Sequence, residues 1–386
     1  MRLGCGRKFL PVVSVSLLGI ATAAAQTGSQ EKPQLAEDVF KNIQVLKGTS
    51  VSEFMGTMGF FSASLGLNCT DCHVSESSGD WGKYADDTGL KRTTRRMVLL
   101  VNALNRNSFG GRRAVTCYSC HRGSMRPKVV PSLLEQYGAP PPDDPNNVEI
   151  IGRGAATESA DQILEKYIQA VGGAQSLSRI ATFTAKGTYQ GFDTDLEPRP
   201  FEIFAKAPGQ RTTIVHLHFG DSVTTYDGRS AWIAAPDKPI PLITLSGGDV
   251  DGVRLEAALS FPAGIKQALS QWRSGFPKTQ IDDRDVQVIQ GTAPGGSRVK
   301  LFFDKQSGLL VRSLQLTETV LGVNPTQNDY SNYREVAGVK MPFHYVVTWT
   351  NGQSTIDLSE IQANGTIDPS KLARPAAAVP AMPAGK

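Results

Sequence analysis

The chain has 386 residues, with 40 Lys and Arg against 36 Asp and Glu, a formal charge of +4. That near-balance gives no reason to expect nucleic-acid binding, and 40% apolar with 20% charged residues excludes wholesale disorder. Only the N-terminus approaches the ~20-residue apolar run of a spanning helix, which excludes an integral multi-span membrane protein, and five cysteines are too few for a disulfide scaffold of this size.

Residues 1–25 read as a signal peptide. Arg2, Arg7 and Lys8 form a basic start, Phe9 to Ile20 is apolar, and Ala23-Ala24-Ala25 offers a small-residue cleavage site before Gln26. The same pattern, uncleaved, is the alternative of an N-terminal anchor. Cys5 precedes the apolar stretch and leaves with the leader, so the exported chain keeps four cysteines in a periplasmic, oxidising compartment.

Gln26 to Gln34 is polar and reads as loose chain. From Leu35 to Lys128 apolar residues recur at helical spacing, so residues 33–130 read as a mainly α domain. Leu35, Val39, Phe40, Ile43 and Leu46 predict a first helix. Ser50 and Glu53 have capping-box spacing ahead of a second, with Phe54, Met55, Met58 and Phe61. Met97, Leu100, Val101 and Leu104 predict a third, and Gly110-Gly111 interrupts it. Residues 131–157, with the run from Ala139 to Asn147, read as an extended Pro-rich linker.

Residues 158–372 read as a mainly antiparallel β domain of the α+β kind. Ser159 to Ala170 is a short amphipathic helix with Ile163, Leu164, Tyr167 and Ile168 on one face. Val215, Leu217 and Phe219 alternate with His216 and His218, and Phe343, Tyr345, Val347 and Trp349 alternate with His344, Val346 and Thr348. Asp227-Gly228, Ser307-Gly308, Ala337-Gly338 and Asn351-Gly352 are turn signals. Leu255 to Trp272 reads as a helix broken at Pro262. His216 and His218 would share a strand face, a geometry that could hold a metal, but no third ligand is evident. Residues 373–386 are Ala/Pro-rich and read as a disordered tail.

The chemistry is concentrated in Cys69-Thr70-Asp71-Cys72-His73 and Cys117-Tyr118-Ser119-Cys120-His121. Both are C-x-x-C-H, the attachment signature of c-type haem. Two cysteines three apart on a helical turn face the same way, and each can form a thioether with a haem vinyl group. The adjacent histidine then reaches the iron. The competing readings are a Cys₄ zinc site, which needs no histidine after each pair, and two tight disulfides, which belong to strand–helix redox folds. Two covalently bound haem c groups are therefore expected. Candidates for the other face of each iron are Met, His or an open position. The methionines of the exported chain are scarce, Met55, Met58, Met97, Met125, Met341 and Met382, and the three remaining histidines lie beyond the linker.

Asn42 to Leu46, Met58 and the first motif, then Arg96-Met97 through Asn105 and Val115 to Gly123, resemble the haem-binding units of the photosynthetic reaction-centre cytochrome c subunit. That resemblance, over roughly residues 35–130, implies a helix bearing an axial Met before each motif helix. It puts Met58 and Met97 in that role, with Met55 the fallback for the first haem. It departs from the family in having two attachment sites rather than four. Met/His ligation raises the potential and leaves no vacant iron position, so it implies single-electron transfer and no catalytic residue. The implied partners are redox proteins of the periplasm or a membrane electron-transfer complex. Residues 26–130 hold fourteen Lys and Arg against nine Asp and Glu, and Arg122, next to the second histidine, is the favoured partner for a haem propionate.

The helix Ser159–Ala170, the alternating strands and the run from Tyr333 to Pro342 resemble the outer-membrane lipoprotein-sorting carriers. That likeness implies a curved, half-barrel-like sheet and an apolar ligand. Two other functions are kept open: a dihaem peroxidase-like oxidoreductase, which needs one labile iron, and an apolar-ligand carrier whose haem domain senses redox state.

Overall fold

The computed structural model describes residues 31–78, 80–139, 144–148, 150, 158–274 and 279–379. The expected signal peptide, parts of the expected linker and residues 380–386 of the expected tail lie outside these. The described residues all fall in one compact unit.

The helical segment comprises α1 (Ala36–Val39), α2 (Val51–Leu65), α3 (Cys69–Cys72), α4 (Gly89–Ser108), α5 (Cys117–His121) and α6 (Leu133–Tyr137). The stripe from Leu35 to Leu46 does not make the expected helix. α1 stops after one turn, Asn42 is left-handed, and Ala36 N–H donates to Thr49 O while Val51 N–H donates to Gln34 O. These cross-links close the segment as a loop, and Leu46 is buried from a non-helical backbone. The Ser50 prediction holds: its hydroxyl accepts from Glu53 N–H and caps α2.

The rest is α7 (Ala160–Ala170), α8 (Gly173–Leu177), α9 (Gly247–Ser260), α10 (Ile265–Ala268) and fourteen strands. The strands are β1 (Thr182–Gly191), β2 (Arg199–Lys206), β3 (Gln210–Leu217), β4 (Gly220–Tyr226), β5 (Ala231–Ala234), β6 (Ile243–Thr244), β7 (Ser270–Ser274), β8 (Thr279–Ile281), β9 (Arg284–Thr292), β10 (Arg298–Asp304), β11 (Leu310–Glu318), β12 (Val323–Val336), β13 (Val339–Trp349) and β14 (Gly352–Ala363). All pairings are antiparallel, in one open curved sheet ordered β6-β5-β4-β3-β2-β1-β14-β13-β12-β11-β10-β9-β7, with β8 beside β9. This is the expected α-then-antiparallel-β architecture.

One face of the sheet is filled by the helices. Ile163, Leu164, Tyr167 and Ile168 of α7, Leu255 of α9 and Ile265 of α10 pack with Phe183, Phe201, Leu301, Phe303 and Phe343. α9 starts earlier than the Leu255–Trp272 reading, because Gly247-Gly248 initiates it in place. Pro262 does break the helix, but Trp272 belongs to β7. The linker is not simply extended: Leu133–Tyr137 is helical, and Val148 and Ile150 cover Val286, Val288 and Phe302 on the opposite sheet face. Buried Lys300 fixes this segment by donating to Asn146 O (2.7 Å) and Val148 O (3.0 Å). In the tail, Arg374 pairs with Glu31 and Ala378 N–H donates to Pro241 O.

The helical segment is docked on the sheet through α2. Ser50 Oγ lies 2.6 Å from Ser246 Oγ, and Asn324 Nδ2 donates to Gly56 O at 2.8 Å. The end of the Phe60 ring packs against Gly322, where an added Cβ would stand 2.1 Å from it. Asp249, in the first turn of α9, is hydrogen-bonded to Ser52. Burial raises its carboxyl to about 6, and nearby Glu53 pushes the same way.

Candidate functional site

The two C-x-x-C-H motifs fold into turns of the same build. In the first, Asn68 Oδ1 accepts from Asp71 N–H (3.2 Å) and Asp71 Oδ2 accepts from Asn68 N–H (2.8 Å). In the second, Ser119 Oγ accepts from Thr116 N–H at 3.0 Å. Asp71 and Ser119 occupy the same place in the motif, so its interior residues cap the turn that aligns the thiols. Cys69, Cys72, Cys117 and Cys120 are all free thiols. Burial raises the pKa of Cys72 and of Cys117.

Each histidine is oriented by a backbone carbonyl. His73 Nδ1 lies 3.1 Å from Tyr84 O, and His121 Nδ1 lies 3.0 Å from Ser124 O. A carbonyl can only accept, so Nδ1 carries the proton and Nε2 keeps its lone pair, as a metal-binding imidazole requires. Burial and the Lys91 charge both lower the His73 pKa, against the Tyr84 carbonyl, which favours the neutral ring. The spacing rule finds the histidines but not these acceptors, because a backbone carbonyl has no sequence signature.

The supports differ. Around the first motif, Thr88 Oγ1 donates to Cys72 O (2.6 Å) and caps α4, and Lys91 Nζ donates to Tyr84 O (2.8 Å) and Asp86 O (2.7 Å). Around the second, buried Asn105 accepts from Ala114 N–H (3.1 Å) and Val115 N–H (3.0 Å) and donates to Val115 O (2.7 Å). Arg122 and Gly123 are both left-handed, which turns Ser124 O back to His121. Gly123 N–H donates to Ser64 O at 3.0 Å, and a Cβ on Gly66 would meet Gly123 O at 2.2 Å. α2 thus packs on the second motif, although it precedes the first.

Met58 packs half-buried against the cluster of Leu46, Phe60, Val98, Cys117 and Leu321, whereas Met55 packs toward Tyr226, Ile243 and Val250 of the sheet part. On α4 the buried face is Val98, Val101 and Asn105. The predicted stripe of Met97, Leu100 and Leu104 is instead exposed, at 36%, 57% and 40%, alongside Val101, which is buried. Arg122 is exposed. His216 lies on β3 but His218 lies beyond its end, in the turn to β4. His216 binds Asp221 Oδ1 and Glu202 Oε2 instead. Among the described residues no three His, Cys, Asp or Glu side chains converge on one metal position.

Paired thiols, a carbonyl-oriented histidine with Nε2 free, and exposed apolar side chains from α4 fit a covalent haem. Residues 18–137 match the family model for the photosynthetic reaction centre cytochrome C subunit. The reaction-center cytochrome c subunit of Thermochromatium tepidum is 40% identical over 112 residues, 28% of this chain and 25% of that protein. The one from Rubrivivax gelatinosus is 33% identical over 99 residues, 25% of each. The chain thus spans about a quarter of the length of these relatives, and the similarity stops before the sheet. Among solved structures, a LolA superfamily protein from Nitrosomonas europaea is 15% identical, with TM-score 0.38, over 55% of this chain and 97% of its own. A DUF1329 family protein from Desulfovibrio piger is 11% identical, with TM-score 0.39, over 56% and 98%. At these scores the likeness says nothing about what the sheet binds.

Proposed function

We propose that this chain is an exported dihaem cytochrome c that passes single electrons between redox proteins of the periplasm and a membrane electron-transfer complex. The observation that carries the reading is the repeated arrangement at His73 and His121: two capped turns, each with Nδ1–H held by a carbonyl and Nε2 left to bind iron. Cys69, Cys72, Cys117 and Cys120 anchor the haems, Met58 and Met97 complete the ligation, and Arg122 pairs with a propionate. When bound, each haem supplies a one-electron iron couple whose potential a Met ligand raises. With Met58 and Met97 as second ligands neither iron would keep an open position, which would favour a carrier over a peroxidase. The packing of α7, α9 and α10 across the inner sheet face supports a docking role for the sheet rather than ligand carriage.

The test is mass and absorbance on protein made in a host with c-haem maturation. Two covalent haems, both low-spin with the weak far-red band of Met-ligated ferric iron, are expected. A high-spin iron would move the reading to the peroxidase, and a haem-free product would overturn it.

A further inference from the structure

Two aromatic contacts, the first with planes tilted by 52° and the second stacked, lead from His73 to Trp81 at the surface. The Tyr84 ring packs on the His73 ring with centroids 4.7 Å apart, and Trp81 stacks on Tyr84 at 4.9 Å with planes 25° apart. Trp81 is 43% exposed, unusual for a tryptophan, a residue type buried on average. It does not sit on a slack loop. Asp80 Oδ1 accepts from Gly82 N–H at 2.7 Å, Lys83 N–H donates to Asp80 O at 3.0 Å, and Lys91 clamps the carbonyls of Tyr84 and Asp86. The same residue, Tyr84, therefore orients the histidine through its carbonyl and covers it with its ring.

We propose that Trp81 and Tyr84 form the electron port of the first haem unit, with the redox centre of a partner approaching the exposed indole edge. The inference rests on the dihaem reading above. Stacking alone would contribute about 0.5–1.5 kcal/mol per ring pair and cover one side of His73, but that role does not call for a second ring left nearly half in solvent. Tunnelling decays exponentially with separation and decays less through packed atoms than across a water gap, so two ring contacts of under 5 Å each make a packed route from the surface to His73. One electron leaves the external reductant and arrives at the iron held by His73. Trp81 and Tyr84 keep their oxidation state, and no proton moves. Among the described ring contacts His121 has none, so the port belongs to one unit alone.

The test uses the full chain with its haems counted by mass, reduced by Fe(II)-EDTA in a stopped-flow instrument. Trp81→Leu should slow one of the two reduction phases several-fold and leave the other, with both midpoint potentials and the visible spectrum unchanged. Trp81→Phe should restore most of the rate. Independently, the redox-inert paramagnetic hexacyanochromate(III) anion should broaden the Trp81 indole N–H resonance. Unchanged phases in Trp81→Leu would overturn the port. So would a slowed phase accompanied by a shifted potential or lost haem, which would make Trp81 a packing residue. A wild-type chain without two haems would instead remove the dihaem reading itself.

Discussion

Around the first motif the supporting groups come from the chain that follows at once: the Tyr84 carbonyl, the Thr88 hydroxyl and the Lys91 amine. Around the second, Asn105 and the Ser124 carbonyl are as near in sequence, but Ser64 and Gly66 at the end of α2 come from far upstream. Identical spacing of two cysteines and a histidine is thus served once by nearby chain and once by nearby chain together with a distant helix. The motif sets the chemistry, and the surroundings decide what each unit depends on. The second rests on α2, which is itself pinned to the sheet by Phe60, Ser50 and Asn324.

The largest test of this contrast is removal of each pair of thiols. The Cys69→Ala/Cys72→Ala and Cys117→Ala/Cys120→Ala chains should each keep one covalent haem by mass spectrometry. Loss of both haems from either would show that the units are not separate. Gly66→Ala comes next. It sets a Cβ against Gly123 O at a left-handed position, and should cost about 3 kcal/mol in urea unfolding. Its spectral effect should fall on the second haem, although Gly66 sits beside the first motif in sequence.

Asn105→Ala leaves two N–H groups and a carbonyl without their partner and should cost about 2 kcal/mol, again through the second unit. Thr88→Val removes a helix cap and the bond to Cys72 O, for about 1 kcal/mol, and should register only at the first haem. Asp249 gives the smallest effect. Its carboxyl is raised from 3.8 to about 6, so the folded chain holds that proton more tightly than the unfolded one. Stability from this group therefore falls as pH rises between those values and stays lower above. Asp249→Asn should flatten that slope and gain about 1 kcal/mol at neutral pH, measured by denaturant titration at several pH values.

The two motif turns were legible because spacing within one helical turn is a local property. The Ser50 cap and the buried face of α7 were legible for the same reason. Asn105 had a signal that was passed over: a polar residue at helical spacing from Val98 and Val101, on what proves to be the buried face. The exposed side of α4 misled in the other direction, since Met97, Leu100 and Leu104 satisfy the same periodicity. Tyr84 and Ser124 act through carbonyls that every residue possesses, so nothing in the sequence marks them. The docking of α2 on the second motif depends on contacts between distant segments, and periodicity is blind to those. His218 failed as a strand residue because the hairpin turns there, at the cost of the alternation that suggested it.

The strand order carries a consequence for how the chain is made. The first strand, β1, pairs with the last, β14, and that seam alone joins the β1–β6 half of the sheet to the β7–β14 half. No ladder hydrogen bond can cross between the halves until Gly352–Ala363 has been synthesised. Both cysteine pairs precede the first strand. They are therefore made well before the surface that finally braces α2 exists.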